Sequence, residues 1–266
     1  MTIAGARMET APRLGGRHVD LDGISMAWQR DVFRFVSQRT RIVSGAVRSI
    51  VWLVVLGLGL RRSFVPIHGL SYEQFLFPGI IAMAVIFSAI QSAISIIWDR
   101  EFGFLREVLV APVPRSSIVI GKALGGATTT SAQALIVLCL APIAGVSLGV
   151  VRIVEVVPLI FLTSLAFVSL GIVIAARMHD FEGFGSIQNF VIMPLYLLSG
   201  AMFPLARTSS QLRGVVDADP LSYGVDAIRQ TLTGYRVHAL WADLLVLLGV
   251  TVVLMSVAVS LFNREG

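Results

Sequence analysis

Metal binding and nucleophilic catalysis need histidines, cysteines or carboxylates at workable spacing, and this chain offers few of them. His18, His68, His179 and His238 are scattered, and none pairs at the HExxH spacing of a helical zinc site, so no metal site and no catalytic residue is expected. Cys139 is the sole cysteine, which excludes a disulfide framework or thiolate metal site within one chain. Lys122 is the sole lysine. A phosphate-cradling GxxxxGK[ST] loop ending there would need glycine where Ser116 stands and Ser or Thr where Ala123 stands. The chain is therefore not expected to hydrolyse ATP by itself.

What remains is polar chemistry in apolar surroundings. Gln91, Ser92, Thr129, Gln133, Gln188, Asn189 and Tyr196 sit within long apolar runs. Their amides and hydroxyls suit either hydrogen bonds between helices or the lining of a path. One charged interruption stands out, WDREFGFLREVLVAPVPRSSIVIGK at residues 98–122.

The elements that position these residues follow from composition. With 56% hydrophobic and 14% charged residues and a mean hydropathy of +0.83, the chain is far more apolar than a soluble domain, where charged residues reach about 25%. Six apolar runs are long enough to cross ~30 Å of hydrocarbon: 42–60, 75–98, 123–147, 156–176, 184–205 and 244–262. They lack period-2 alternation, so the expected fold is an all-α membrane protein of six transmembrane helices. Residues 1–23 contain no apolar run and read as a flexible cytoplasmic N-terminus rather than a signal peptide.

With the N-terminus inside, thirteen Arg/Lys fall on the cytoplasmic side and seven outside, which places both termini in the cytoplasm. Arg61 and Arg62 run against that bias. A pI near 10.1 is met by anionic inner-leaflet lipid, and no nucleic acid partner is expected. Arg48 lies inside the first run, about 9 Å beyond Ile42 along a helix, and either snorkels to inner headgroups or meets an anionic substrate.

Three segments outside the spans have helical character. ISMAWQRDVFRFVSQRTR, residues 24–41, repeats Trp28, Val32, Phe35 and Val36 at helical spacing with Arg30, Arg34 and Arg41 around them, the pattern of an amphipathic interface helix. Residues 99–110 read as a short cytoplasmic helix capped by Asp99 and stopped by Pro112 and Pro114. It either lies on headgroups or projects as a knob for an energising subunit. Asp219 and Pro220 start, and Gly234 ends, a short outer helix with Val225, Ile228 and Leu232 on one face.

Four stretches in order carry a family resemblance: GLSYEQFLFPGIIAM (69–83), REFGFLREVLVAPVPRSSIVIGK (100–122), PLYLLSGAMFPL (194–205) and DPLSYGVDAIRQTLTG (219–234). From about Met26 onward the chain resembles the ABC-2 type permeases, membrane subunits of ATP-driven exporters of the multidrug, daunorubicin-resistance and Nod-factor group. One departure is ARTSSQLRG, residues 206–214, which lacks the proline often found after the FPL turn.

The resemblance implies a coupling helix with Arg100, Glu101, Phe102, Leu105, Arg106 and Glu107 seated on an ABC ATPase, helped by Trp28, Arg30 and Arg34. It implies a translocation path reaching Gln91, Gln188, Asn189 and Tyr196. It further implies a re-entrant outer hairpin before the last helix, with Phe203, Pro204, Pro220, Tyr223 and Arg229 at an outer gate. ATP and Mg would sit on two partner ATPase subunits, a second permease half would complete a dimer, and the site of action would be a bacterial inner membrane. An ion-coupled carrier and an ATP-independent scaffold are the alternatives. The five runs after the first carry no charged residue, which disfavours the carrier.

Overall fold

A computed structural model of the chain describes residues 20–60, 69–101, 114–178, 183, 186, 188–204 and 210–264. Nine α-helices and one π turn are found among them, with no strand. In chain order these are α1 (Leu21–Ser37), α2 (Arg39–Leu60), α3 (Tyr72–Glu101), α4 (Arg115–Leu138), α5 (Val150–Arg177), the π turn Gln188–Ile192 running into α6 (Met193–Leu198), α7 (Ser210–Ala218), α8 (Pro220–Thr233) and α9 (Leu240–Arg264). Four described helices are long and apolar enough to cross a membrane: 39–60, 72–98, 150–177 and 240–263.

Proline, more than hydropathy, sets where the other two expected spans begin and end. The third was expected at 123–147, yet α4 starts at Arg115, directly after Pro114, and stops at Leu138. Residues after it fold into turns around Pro142, and Gly145 takes a φ of 70°. The earlier start brings Lys122 into the helix, where it is buried. The fifth expected span, 184–205, is interrupted. Pro194 has no N–H to give the preceding turn, a π turn lies just before it, and α6 ends at Leu198 before Gly200 bends the chain at a φ of 73°.

The expected helix over 99–110 also differs where it is described. α3 continues unbroken through Asp99 to Glu101, so Asp99 lies inside a helix and is not an N-cap. Phe102, Leu105, Arg106 and Glu107 lie outside the described residues.

Burial divides the long helices into two classes. Two thirds of the spanning windows of α3 and α5 are buried, against 17% for α2 and α9. α3 and α5 therefore form the centre. α2 exposes Val43, Val47, Val51, Val54, Val55 and Leu58, and α9 exposes Trp241, Leu245, Leu248, Val252 and Val253, the surface expected of helices that face lipid or another apolar partner.

α1 runs alongside α4 rather than standing alone. Its buried residues, Gly23, Ala27, Asp31 and Phe35, recur every four positions and form one face. That face approaches so closely because α4 offers Gly121 and Gly125. A Cβ on Gly121 would lie 2.7 Å from the Ala27 Cβ, and one on Gly125 would lie 2.9 Å from the Asp31 Cβ. The Asp20 N–H donates to Ser117 Oγ at 2.7 Å, and the Trp28 indole donates to Thr128 Oγ1 at 3.0 Å. Leu21, Met26, Phe33 and Val36 remain exposed.

The bundle thus has two distinguishable ends. Arg115 at the start of α4 donates to the Phe262 carbonyl at 3.3 Å, so the starts of α1 and α4 and the end of α9 share one end. At the far end Gln74 donates to the Gly145 carbonyl at 2.8 Å, and Arg152 donates to the Leu232 carbonyl at 3.3 Å.

Candidate functional site

A groove of about 310 Å³ opens between α2 and α3 and is closed on one side by α4. Its α2 wall carries Arg41, Ser44, Gly45, Arg48 and Ser49, positions one helical turn apart that make a polar stripe on an otherwise apolar helix. From α3 come Phe87, Ser88 and Gln91, and from α4 comes Gln133. Arg41 donates to the Ser88 carbonyl at 3.2 Å, and the Arg48 guanidinium stands 4.9 Å from the Phe87 ring centre. Gln133 donates weakly to the Ile42 carbonyl at 3.4 Å. Gln38, Arg41 and Gln91 also line an adjoining hollow that reaches Arg34 and Trp98.

The groove therefore offers guanidinium groups, amides and hydroxyls beside aromatic and aliphatic walls. Such a lining suits an amphiphile with a polar or anionic head, because the walls take its apolar part while the cations take its head.

Of the four residues expected on a path, Gln91 lines the groove. Asn189 is exposed and Tyr196 is buried, and neither lines it. The Tyr196 hydroxyl has no hydrogen-bond partner among the described residues. Gln188 belongs to the π turn. The positions that resemblance did not supply are Arg41, Arg48 and Gln133. For the two arginines the signal was present in the sequence as polar residues at 41, 44, 48 and 49 on one helical face, whereas Gln133 stood alone in its run.

At the far end, α8 is built by its caps. Asp219 accepts from the Leu221 N–H at 2.8 Å, Pro220 occupies the first turn, and Gly234 closes the helix at a φ of 78° with its N–H on the Gln230 carbonyl. Burial pushes the Asp219 carboxyl up to about 7, opposed by the hydrogen bond from Leu221. On this helix Arg229 is fully buried. Its Nε donates to the Phe75 carbonyl at 3.3 Å, and one terminal nitrogen donates to the Gly200 and Ala201 carbonyls at 2.8 and 3.3 Å.

The Arg229 guanidinium also lies 4.0 Å from the Phe75 ring centre. The Gly200 and Ala201 carbonyls follow the end of α6, where a helix leaves acceptors without partners. Burial lowers the Arg229 pKa to about 10, with Asp226 the first group opposing that shift, so it stays cationic at neutral pH. One side chain thus ties α8 to the start of α3 and to the bend after α6.

The other residues expected at an outer gate lie on the segments this side chain joins. Phe203 is exposed and Pro204 half-buried beyond the Gly200 bend, Pro220 opens α8, and Tyr223 donates its hydroxyl to the Asp217 carbonyl at 2.7 Å. Those expected to couple are dispersed. Trp28 is engaged with α4, Arg30 lies 3.8 Å from Asp31, and Arg34 lines the hollow beside Trp98. Arg100 and Glu101 form the last turn of α3.

Several apolar spanning helices, a polar groove against the first of them and no strand among the described residues define a multi-pass membrane protein of the transport-permease kind. The ABC-2 type transporter model matches residues 23–233, and the chain belongs to that family. It is similar to Nodulation protein J of Rhizobium leguminosarum bv. viciae, 27% identical over 251 residues that cover 90% of this chain and 93% of the relative. It is also similar to the putative transport permease ycf38 of Cyanophora paradoxa, 26% identical over 71% of this chain and 66% of the relative. The inner membrane transport permease YadH of Escherichia coli (strain K12) is 25% identical over 82% of this chain and 85% of its own length. The chain is a membrane permease of an ABC transporter.

Proposed function

We propose that this chain is the permease half of an ATP-driven exporter that takes an amphiphilic drug, lipid or lipid-linked glycan from the inner leaflet. In this reading six segments span a bacterial inner membrane with both termini in the cytoplasm. α4 and the interrupted run that includes α6 add two spans to the four long apolar helices. α1 lies at the inner interface on membrane lipid, and a re-entrant outer hairpin precedes the last helix, α9. A second permease half, in a homodimer, packs against apolar surface such as that of α2.

Two ABC ATPases carry ATP and Mg and push on the end where α1, α3 and α4 meet, through Arg30, Arg34, Arg100, Glu101 and the segment that follows. The observation that carries the reading is the groove of Arg41, Arg48, Gln91 and Gln133, which adjoins a hollow reaching Arg34 and Trp98, while at the far end Arg229 ties α8 to α3 and the Gly200 bend.

The test is transport in vesicles holding the chain alone or co-reconstituted with its ATPase. Export is expected only with both ATPase and ATP. Accumulation driven by an imposed proton or sodium gradient in the absence of ATP would overturn the reading in favour of an ion-coupled carrier.

A further inference from the structure

Asp226 in the middle of α8, His238 in the connection after it and Asp243 in the first turn of α9 converge at the far end of the bundle. One ligand atom from each lies within 4.8 Å of the others. His238 Nδ1 is 3.4 Å from Asp226 Oδ2 and 3.7 Å from Asp243 Oδ1. Asp243 is wholly buried, and among the described residues neither of its oxygens accepts a hydrogen bond. His238 Nδ1 is likewise without a hydrogen-bond partner.

These separations are too long for good hydrogen bonds, which close near 3.0 Å for nitrogen and oxygen. They are close to the ~3.3 Å edge of a tetrahedron of ligands held at about 2.0–2.1 Å from a central ion. A buried carboxylate with no donor is strongly unfavourable unless a cation or a proton answers it, and two carboxylates beside one imidazole offer a cation three ligands.

The surroundings fix the ligands in place. Asp226 accepts from the Val237 N–H at 2.9 and 3.0 Å and from the His238 N–H at 2.6 Å, so its carboxylate is aimed by the same loop that carries His238. The Tyr223 ring stacks on the His238 ring with centres 5.2 Å apart. Arg229, the cation one turn along α8, donates instead to the Phe75, Gly200 and Ala201 carbonyls.

We propose that Asp226, His238 and Asp243 form a zinc site that staples the outer helix α8 to the last span α9. One imidazole nitrogen with two carboxylates suits zinc, whereas calcium takes six to eight oxygens and magnesium keeps an octahedral shell of water. His238 is 30% exposed, which leaves an opening for water as a fourth ligand. The sequence concealed this site, because a spacing of twelve and then five residues matches no short zinc motif.

The experiment uses the full chain in lipid nanodiscs, stripped with a chelator and titrated with zinc against a chromophoric indicator. One site per chain is expected above the background of the other histidines, with a rise of several degrees in the unfolding midpoint. His238→Ala should weaken that site at least tenfold. Should that variant not fold, Asp243→Asn keeps the side-chain shape and should weaken it similarly. His238→Cys should retain zinc and bind cadmium more tightly than the wild type does, a response that a purely packing role would not give. Equal zinc binding by wild type and the folded variants would overturn the proposal. So would a stability that follows pH through these residues but ignores zinc, which would mean that the cluster holds only a proton. The measurement needs no transport, so its failure leaves the permease reading intact.

Discussion

Arginine serves opposite ends of this molecule in opposite ways. Arg229 is fully buried, and its donors meet the carbonyls of Phe75, Gly200 and Ala201, so the outer end is drawn together around one cation. Arg41 and Arg48 stand instead at the wall of an open groove, the first on a single carbonyl and the second over the Phe87 ring. A buried guanidinium that spans carbonyls of two separate segments locks structure. One that faces an open groove is available to a ligand.

The sharpest way to break this comparison is Arg229→Met. It removes the donor to three carbonyls and leaves them buried, and charge-assisted bonds contribute about 1.5–3 kcal/mol each, so a loss of roughly 3 kcal/mol or more is expected. Thermal unfolding of the purified chain measures it. Arg229→Lys should recover only part of the loss, because a point charge cannot reach α3 and the Gly200 bend in the same planar geometry. If Arg48→Met destabilises as much as Arg229→Met, the distinction between lock and liganding wall fails.

A smaller effect belongs to the other end. Gly125→Val forces a side chain against Asp31 and Trp28 of α1, and such overpacking costs about 1–3 kcal/mol. Proteolysis within α1 should accelerate while α8 stays protected. Uniform loosening of both ends would show that the two regions are one cooperative unit.

The smallest change in stability is expected for Gln91→Ala, within about 0.5 kcal/mol, because this side chain is exposed to the groove. Its consequence should fall on transport, as a several-fold higher half-saturating substrate concentration in ATPase-coupled vesicles. An unchanged value would remove Gln91 from the path.

Much of the helical plan was legible in the sequence. The long apolar runs at 42–60, 156–176 and 244–262 lie inside α2, α5 and α9, because an apolar run of that length has to be helical in lipid. The run at 75–98 lies inside α3, but that helix continues through Asp99, which local capping logic had assigned to a new element. α4 was displaced because its first turns carry Arg115, Ser116, Ser117 and Lys122, which hydropathy counts as loop. Tertiary contact with α1 and α9 makes those polar turns helical and partly buried. The Gly121/Gly125 pair looked like one GxxxG among many glycines, and only the approach of Ala27 and Asp31 gives it a purpose.

By itself the sequence determined the solvent, the helical class and the capped outer helix, since each depends on neighbours within one or two helical turns. Tertiary structure alone decided which polar residues meet. Arg229 lies 154 positions from Phe75, and Gln133 lies 91 from Ile42, so no local pattern links them. Asp226, His238 and Asp243 are nearer in the chain, yet they converge only because α8 ends at Gly234 and the chain turns back into α9. Spacing along a helix fixes which face a side chain shares, whereas the partner across that face is fixed by how the helices pack.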